Sequence, residues 1–188
     1  MTYKEIKEYS KEKSNSLIQG AIVKFQADGL IKKKGVGNIL LYQIDFGNST
    51  VFSYFDILIK EILSSPVRDT LRVIREELSD TEFVSIIIFG SYAEGKQTEK
   101  SDLDVGVFVN SSEEKRKCEL SLKSANLKTV LNIDYHVFTK NEMLQMLKDK
   151  QENLGKQMAH KHLAVYNPEI FYSIIQEGID NGFKIVYS

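Results

Sequence analysis

The hydrophobic pattern of the N-terminal part predicts two helices. Thr2 followed three residues later by Glu5 forms a capping-box sequence, which indicates a short helix through about residue 10. Ser16 and Gln19 repeat this pattern before a longer stretch whose apolar residues recur at helical spacing. Gly29 lies where that second helix would end, because glycine accepts the left-handed conformation common at helix C-termini.

Two β-type runs in residues 30–46 flank a glycine-containing turn, which predicts a hairpin. Residues 48–63 then return to helical spacing, and Ser64-Ser65-Pro66 follows them. Because proline suits the first turn of a new helix, this tripeptide predicts a domain boundary. We therefore expect two domains, residues 1–64 and residues 65–188.

The second part alternates between helical and strand patterns, which is typical of an α/β (α+β) fold. A helix with a clean apolar stripe follows Pro66, and apolar runs predict strands at about 83–89, 102–109 and 129–138. Thr139 and Glu142 form a third capping box, and Asn167-Pro168 predicts a last helix that Gly178 would end.

Composition and charge narrow the class of protein. The 188 residues are 42% hydrophobic and 27% charged, which is typical of a globular protein, and no apolar run is long enough to cross a bilayer. The net charge of −1 argues against a protein wrapped in nucleic acid, although residues 1–45 carry +3 and the remainder −4. The charged N-terminus and single cysteine favour a cytoplasmic protein.

The candidate chemistry lies in residues 86–109, IIIFGSYAEGKQTEKSDLDVGVFV. An apolar strand stops at Gly90-Ser91, and the next strand begins with Asp102 and Asp104. Side chains at positions i and i+2 of a strand share a face, so these two carboxylates would project together. Asp134 in the following strand would join them if the two strands are neighbours.

Clustered carboxylates repel each other unless a cation neutralises them, and their hard oxygen atoms suit Mg²⁺ or Mn²⁺. Three carboxylates can hold two metal ions, an arrangement that supports phosphoryl transfer. Gly90 permits a close backbone approach, and Ser91 adds an N–H and a hydroxyl that suit a phosphate chain. A helix N-cap beginning at Ser101 is the alternative, but the β-branched residues that follow favour a strand.

The segment GSYAEGKQTEKSDLD resembles the Gly-Ser, ten-residue spacer, Asp-x-Asp signature of the DNA polymerase β-like nucleotidyltransferases, most closely their minimal branch. The resemblance covers about residues 65–188 and implies a mixed sheet flanked by helices. It implies transfer of a nucleoside monophosphate from a nucleoside triphosphate, preferably ATP, to an unknown acceptor hydroxyl. Gly90 and Ser91 would hold the triphosphate, and Asp102, Asp104 and Asp134 would bind Mg²⁺ or Mn²⁺ as catalytic residues.

One residue departs from the pattern of this family. Many relatives carry a basic residue after the alanine of the motif, where this chain has Glu94. An acid beside a triphosphate would weaken binding through like-charge repulsion, unless its side chain points away. Catalytic activity therefore depends on how Glu94 is placed.

The N-terminal order of helix, helix and hairpin resembles the later part of a winged helix-turn-helix, without that fold's first helix. The resemblance implies a DNA-reading helix from Ser16 and a basic wing, although a lysine run beside a turn is more often a solvated hairpin. The implied DNA contacts are Ser16, Gln19, Lys24, Lys32, Lys33 and Lys34.

Two alternatives to an active transferase stay open. The chain could be a DNA-binding transcriptional regulator with a nucleotide-sensing domain, or the antitoxin of a toxin–antitoxin pair, since relatives of the minimal branch neutralise toxins. The candidate ligands are accordingly a nucleoside triphosphate and an acceptor that is a protein, an RNA or a small molecule. The candidate macromolecular partners are DNA, a toxin and a second copy of the chain, and no membrane association is expected.

Overall fold

The computed structural model describes residues 1–184 and divides the chain into two units, Met1–Tyr54 and Phe55 onward. The division falls inside a helix, earlier than the boundary expected after residue 64. The helices and strands of the first unit, and the helix that contains the division, are α1 (Tyr3–Ser10), α2 (Asn15–Ala27), β1 (Ile31–Val36), β2 (Ile39–Ile44) and α3 (Thr50–Ile62).

The first unit has the predicted order of two helices and an antiparallel hairpin. Thr2 and Glu5 form the predicted capping box at α1, with the Thr2 hydroxyl accepting from the Glu5 N–H. The predicted start of α2 at Ser16 is wrong, because Ser14 is the N-cap and its hydroxyl accepts from Leu17 N–H at 3.4 Å. This order of elements does not by itself establish a winged helix.

The second unit is a four-stranded mixed sheet between two layers of helices, which confirms the predicted class. After α4 (Ser65–Glu77), the chain alternates between strands and helices. The remaining elements are β3 (Ser85–Ile88), α5 (Gly90–Glu94), β4 (Leu103–Val109), α6 (Ser112–Asn126), β5 (Ile133–Thr139), α7 (Lys140–Lys148), α8 (Leu154–His160), β6 (Leu163–Tyr166) and α9 (Pro168–Asp180).

The strand order is β5-β4-β3-β6, with β4 and β5 parallel and the other two pairs antiparallel. Alternate residues of each strand enter two separate cores. Val105 and Val107 belong to the core shared with α4 and α6, whereas Phe108 belongs to the core shared with α7, α8 and α9. Because of the strand order and directions, one edge of the sheet carries the end of β3 together with the starts of β4, β5 and β6.

The strand β6 and the end of the last helix are among the features of the second unit that differ from the sequence-based expectation. The strand β6 was not predicted, because its four residues are too few to display a period. The last helix continues past Gly178 to Asp180, and Gly178 is buried inside it. A Cβ at this glycine would lie 2.6 Å from Leu147 Cδ1, so close helix packing explains the residue.

None of the helices within residues 1–184 is both long enough and apolar enough to span a membrane.

Candidate active site

Two carboxylates lie side by side where the parallel strands β4 and β5 begin. Asp104 is the second residue of β4 and is in register with Asp134, the second residue of β5. Paired residues on adjacent strands carry their side chains on the same face. The strands β4 and β5 are therefore neighbours, which is the arrangement that the predicted grouping of Asp134 with Asp104 requires.

Asp104 lies in an electrostatically unfavourable position for an isolated carboxylate. Partial burial raises its pKa, and the negative charges of Asp134 and, to a smaller extent, Asp102 raise it further. A hydrogen bond from the backbone N–H of Ser91 and the proximity of His136 lower the pKa but do not cancel the increase. A cation beside Asp104 would relieve this repulsion.

Gly90 is required at the end of β3 for two separate reasons. Its φ of +62° lies in the left-handed region, which residues with a side chain rarely adopt. A Cβ would also lie 2.8 Å from Asp104 Cγ, and closer still to Oδ2. Gly90 therefore lets the Gly-Ser backbone approach the Asp104 carboxylate directly.

His136 and Phe89 border the carboxylate pair. His136 Nε2 lies 3.6 Å from Asp134 Oδ1, and its ring stacks on Phe138 with centroids 6.2 Å apart. Its ring centroid is also 5.9 Å from that of the buried Phe89. Asp134 therefore lies between a histidine and the solvent, with 58% of its side chain exposed.

Asp102 lies outside β4, which begins at Leu103 rather than at residue 102 as predicted. The negative charge of Asp102 raises the pKa of Asp104, but by less than the charge of Asp134 does. Within residues 1–184, no three side chains of His, Cys, Asp or Glu are close enough together to hold a metal ion. The three predicted carboxylates thus lie at one edge of the sheet without forming a closed ligand set.

Glu94 is paired with two lysines. Its Oε2 lies 2.6 Å from Lys96 Nζ, and its Oε1 lies 3.9 Å from Lys161 Nζ. The Lys96 hydrogen bond and both positive charges lower the pKa of Glu94, which is therefore ionised at neutral pH. The like-charge repulsion expected from this acid is thus offset by Lys96, which lies within the same segment, and by Lys161 from a distant part of the chain.

The residues predicted to contact DNA are all exposed, but they do not form one basic face. Strand alternation turns Lys33 away from the face shared by Lys32 and Lys34. Lys32 is paired with Asp45 at 2.9 Å, and the Ser16 hydroxyl bonds the Ser14 hydroxyl at 3.0 Å. Gln19 and Lys24 lie on the exposed surface of α2.

Comparison with known proteins identifies the family of the second unit. Residues 71–158 match the model of the nucleotidyltransferase domain. A protein of Methanocaldococcus jannaschii named "Putative protein adenylyltransferase MJ1215" is 38% identical over 81 residues, which are 42% of this chain and 91% of that protein. The chain belongs to the nucleotidyltransferase domain family. The matched region, residues 71–158, contains Gly90, Ser91 and the three aspartates predicted from the sequence.

Among solved structures, one match is described as a crystal structure of a toxin–antitoxin with AMP-PNP. That match covers 58% of this chain and 84% of the other, with 20% identity and a TM-score of 0.39.

Proposed function

We propose that this nucleotidyltransferase moves a nucleoside monophosphate from a nucleoside triphosphate to an acceptor hydroxyl and releases pyrophosphate. The observation that carries the proposal is the in-register pair Asp104 and Asp134 beside the Gly90-Ser91 turn. Carboxylates next to a phosphate-binding turn suit such a transfer because they can hold the divalent cations that stabilise the negative charge on the leaving pyrophosphate and on the hydroxyl as it loses its proton.

Asp102, Asp104 and Asp134 would hold Mg²⁺ or Mn²⁺. Their oxygen ligands suit these ions, and a bound cation would offset the repulsion that Asp134 and Asp102 exert on Asp104. When bound, the metal would neutralise phosphate charge and favour deprotonation of the acceptor hydroxyl. Gly90 and Ser91 would orient the phosphates, and Asp134, the more exposed carboxylate, would face the acceptor and accept its proton.

ATP is the proposed nucleotide, and a protein hydroxyl is the proposed acceptor. Support comes from the relative in Methanocaldococcus jannaschii, whose name describes a protein adenylyltransferase and of which this chain covers 91%. The acceptor would be a serine, threonine or tyrosine side chain. An RNA or small-molecule hydroxyl remains the alternative outcome of a labelling experiment.

Asp104→Asn and Asp134→Asn test the proposed chemistry. We expect the rate of transfer of labelled AMP from ATP to protein to fall at least about a hundredfold in each variant. The reason is that asparagine lacks the negative charge that would bind the metal ion or accept the proton. The measurement is incubation with labelled ATP, Mg²⁺ and cell lysate, followed by gel separation. Asp80→Asn, at an exposed site after α4, is the matched control. Transfer retained in both active-site variants would refute the mechanism.

DNA binding by residues 1–54 stays a prediction that rests on the winged-helix resemblance. The exposed residues Lys24, Lys33 and Lys34 could contact phosphates, but Lys32 is already paired with Asp45. A low-salt gel shift with the DNA upstream of the protein's own gene tests this role. Failure to shift that DNA would leave the transferase without a DNA-binding function.

A further inference from the structure

The sheet topology brings a lysine from a distant part of the chain to the Gly-Ser turn. Leu163, the first residue of β6, pairs with Ile88, the last residue of β3. Lys161 precedes Leu163 by two residues, and Gly90 follows Ile88 by two. Because β3 and β6 are antiparallel, Lys161 and Gly90 emerge at the same edge of the sheet.

The backbone that carries Lys161 is held on both sides. Its own N–H donates to Gln157 O at 3.0 Å at the end of α8. The next residue, His162, is fixed through Nδ1 to Met158 O at 2.8 Å and through Nε2 to the Tyr172 hydroxyl at 3.0 Å. Lys161 therefore projects from a fixed point, with 52% of its side chain exposed.

Glu94 binds its two lysines unequally. Lys96 lies at hydrogen-bond distance, 2.6 Å, whereas Lys161 lies at 3.9 Å, beyond a hydrogen bond. Ion pairs that are largely accessible to solvent contribute little to folding stability, so breaking the Glu94–Lys161 contact costs little. Glu94 can therefore remain neutralised by Lys96 while Lys161 turns to a stronger anion.

We propose that Lys161 is the cation that contacts the triphosphate of the bound nucleotide, and that Glu94 holds Lys161 at the edge of the sheet until the nucleotide binds. The inference rests on the proposed function. Lys161 would thus replace, from a different segment, the positive charge that the Gly-Ser motif lacks at residue 94. A triphosphate carries more charge than a carboxylate, so it competes successfully for the lysine.

Isothermal titration calorimetry of the full chain with ATP and with AMP, both with Mg²⁺, tests this proposal. We expect Lys161→Ala to weaken ATP binding about tenfold, the effect of one charge-assisted hydrogen bond at a partly exposed site. AMP binding should change less than about twofold, because AMP lacks the phosphates that Lys161 contacts. Lys161→Arg should restore the preference for ATP over AMP, which a purely structural role would not predict.

Lys117→Ala is the matched control, because Lys117 is also an exposed lysine paired with a glutamate, Glu113, at 2.9 Å. It should bind ATP like the unmodified protein. Glu94→Gln should tighten ATP binding a few-fold, since it frees Lys161 and removes a negative charge. Thermal unfolding of each variant reports whether the fold is retained.

The outcomes separate the two proposals. If the unmodified protein binds no ATP with Mg²⁺, the proposed function fails, and the role of Lys161 fails with it. If the unmodified protein binds ATP and Lys161→Ala binds it equally well, only the role of Lys161 is refuted. If Glu94→Gln weakens ATP binding, Glu94 does not act as the resting partner described here.

Discussion

Gly90 illustrates how one residue can be constrained by both conformation and chemistry. Its positive φ could be met by glycine at many turns, but its contact with Asp104 is specific to this site. The Gly-Ser motif therefore requires glycine partly because the Asp104 carboxylate occupies the space of a side chain. The sequence pattern identified the residue, whereas its steric partner depends on the pairing of β3 with β4.

We expect Gly90→Ala to destabilise the fold more than Gly95→Ala does. Both glycines have φ near +65°, so both variants incur the cost of a left-handed alanine, about 1 kcal/mol. Only Gly90 has a neighbour within 4 Å of the added Cβ, which should raise its total cost to about 2–3 kcal/mol. Urea unfolding of both variants measures the difference, and equal losses would contradict the proposed contact.

His162 should make stability depend on pH. Burial lowers its pKa from 6.5 to about 4, despite its hydrogen bonds to backbone carbonyl groups. Between these values the unfolded chain binds a proton that the folded chain does not. The stabilisation is therefore complete above pH 6.5 and is lost as the pH falls to about 4, by up to about 3 kcal/mol.

His162→Gln should flatten this part of the pH profile, because glutamine does not titrate. The measurement is the free energy of unfolding by urea between pH 4 and pH 7.5. An unchanged slope in His162→Gln would show that other groups cause the pH dependence.

At the scale of secondary structure, local chemistry specified helix starts more reliably than helix ends. The capping boxes at α1 and α7 were predicted correctly because their hydrogen bonds are local. The threonine hydroxyl accepts from the backbone N–H of the glutamate three residues later, and the glutamate side chain accepts from the backbone N–H of the threonine. The same rule placed the start of α2 incorrectly at Ser16, because Ser14 provides an equivalent hydroxyl two residues earlier and is the N-cap. Gly178 misled the end rule because its small size serves packing against Leu147.

Thr139→Ala should cost about 1 kcal/mol of stability. The Thr139 hydroxyl accepts from Glu142 N–H at 3.2 Å, and Glu142 Oε2 accepts from Thr139 N–H at 2.7 Å. The variant loses the first bond and leaves an N–H of α7 without its cap. Thr139→Ser retains the hydroxyl and serves as the control in thermal unfolding. Equal stability of both variants would exclude a role for the cap.

At the scale of the whole molecule, the second unit should fold without the first. Among the residues that the structure describes, the buried residues of its two cores run from Val67 to Phe183. We expect a fragment of residues 55–188 to unfold cooperatively and to bind ATP with Mg²⁺ as the full chain does. Differential scanning calorimetry and titration calorimetry measure these two properties.

A fragment of residues 71–158, the region that matches the family model, is the informative contrast. It lacks β6 and α9 and therefore the buried residues Phe171 and Ile174 of the second core. We expect it not to fold cooperatively, because the sheet face around Phe108 would be uncovered. A folded short fragment would indicate that the second core is dispensable.

The sequence by itself determined which segments form strands, where the Gly-Ser turn interrupts them and which aspartates are the candidate metal ligands. Side-chain alternation, glycine conformation and carboxylate chemistry are local properties and can be read from single segments. The sequence also specified the family, through a motif contained within fifteen residues. Only the tertiary structure decided that β5 lies beside β4, that Asp104 is in register with Asp134, and that Lys161 reaches Glu94. Those contacts depend on strand order, and strand order follows from how the helices cover both faces of the sheet rather than from any single segment.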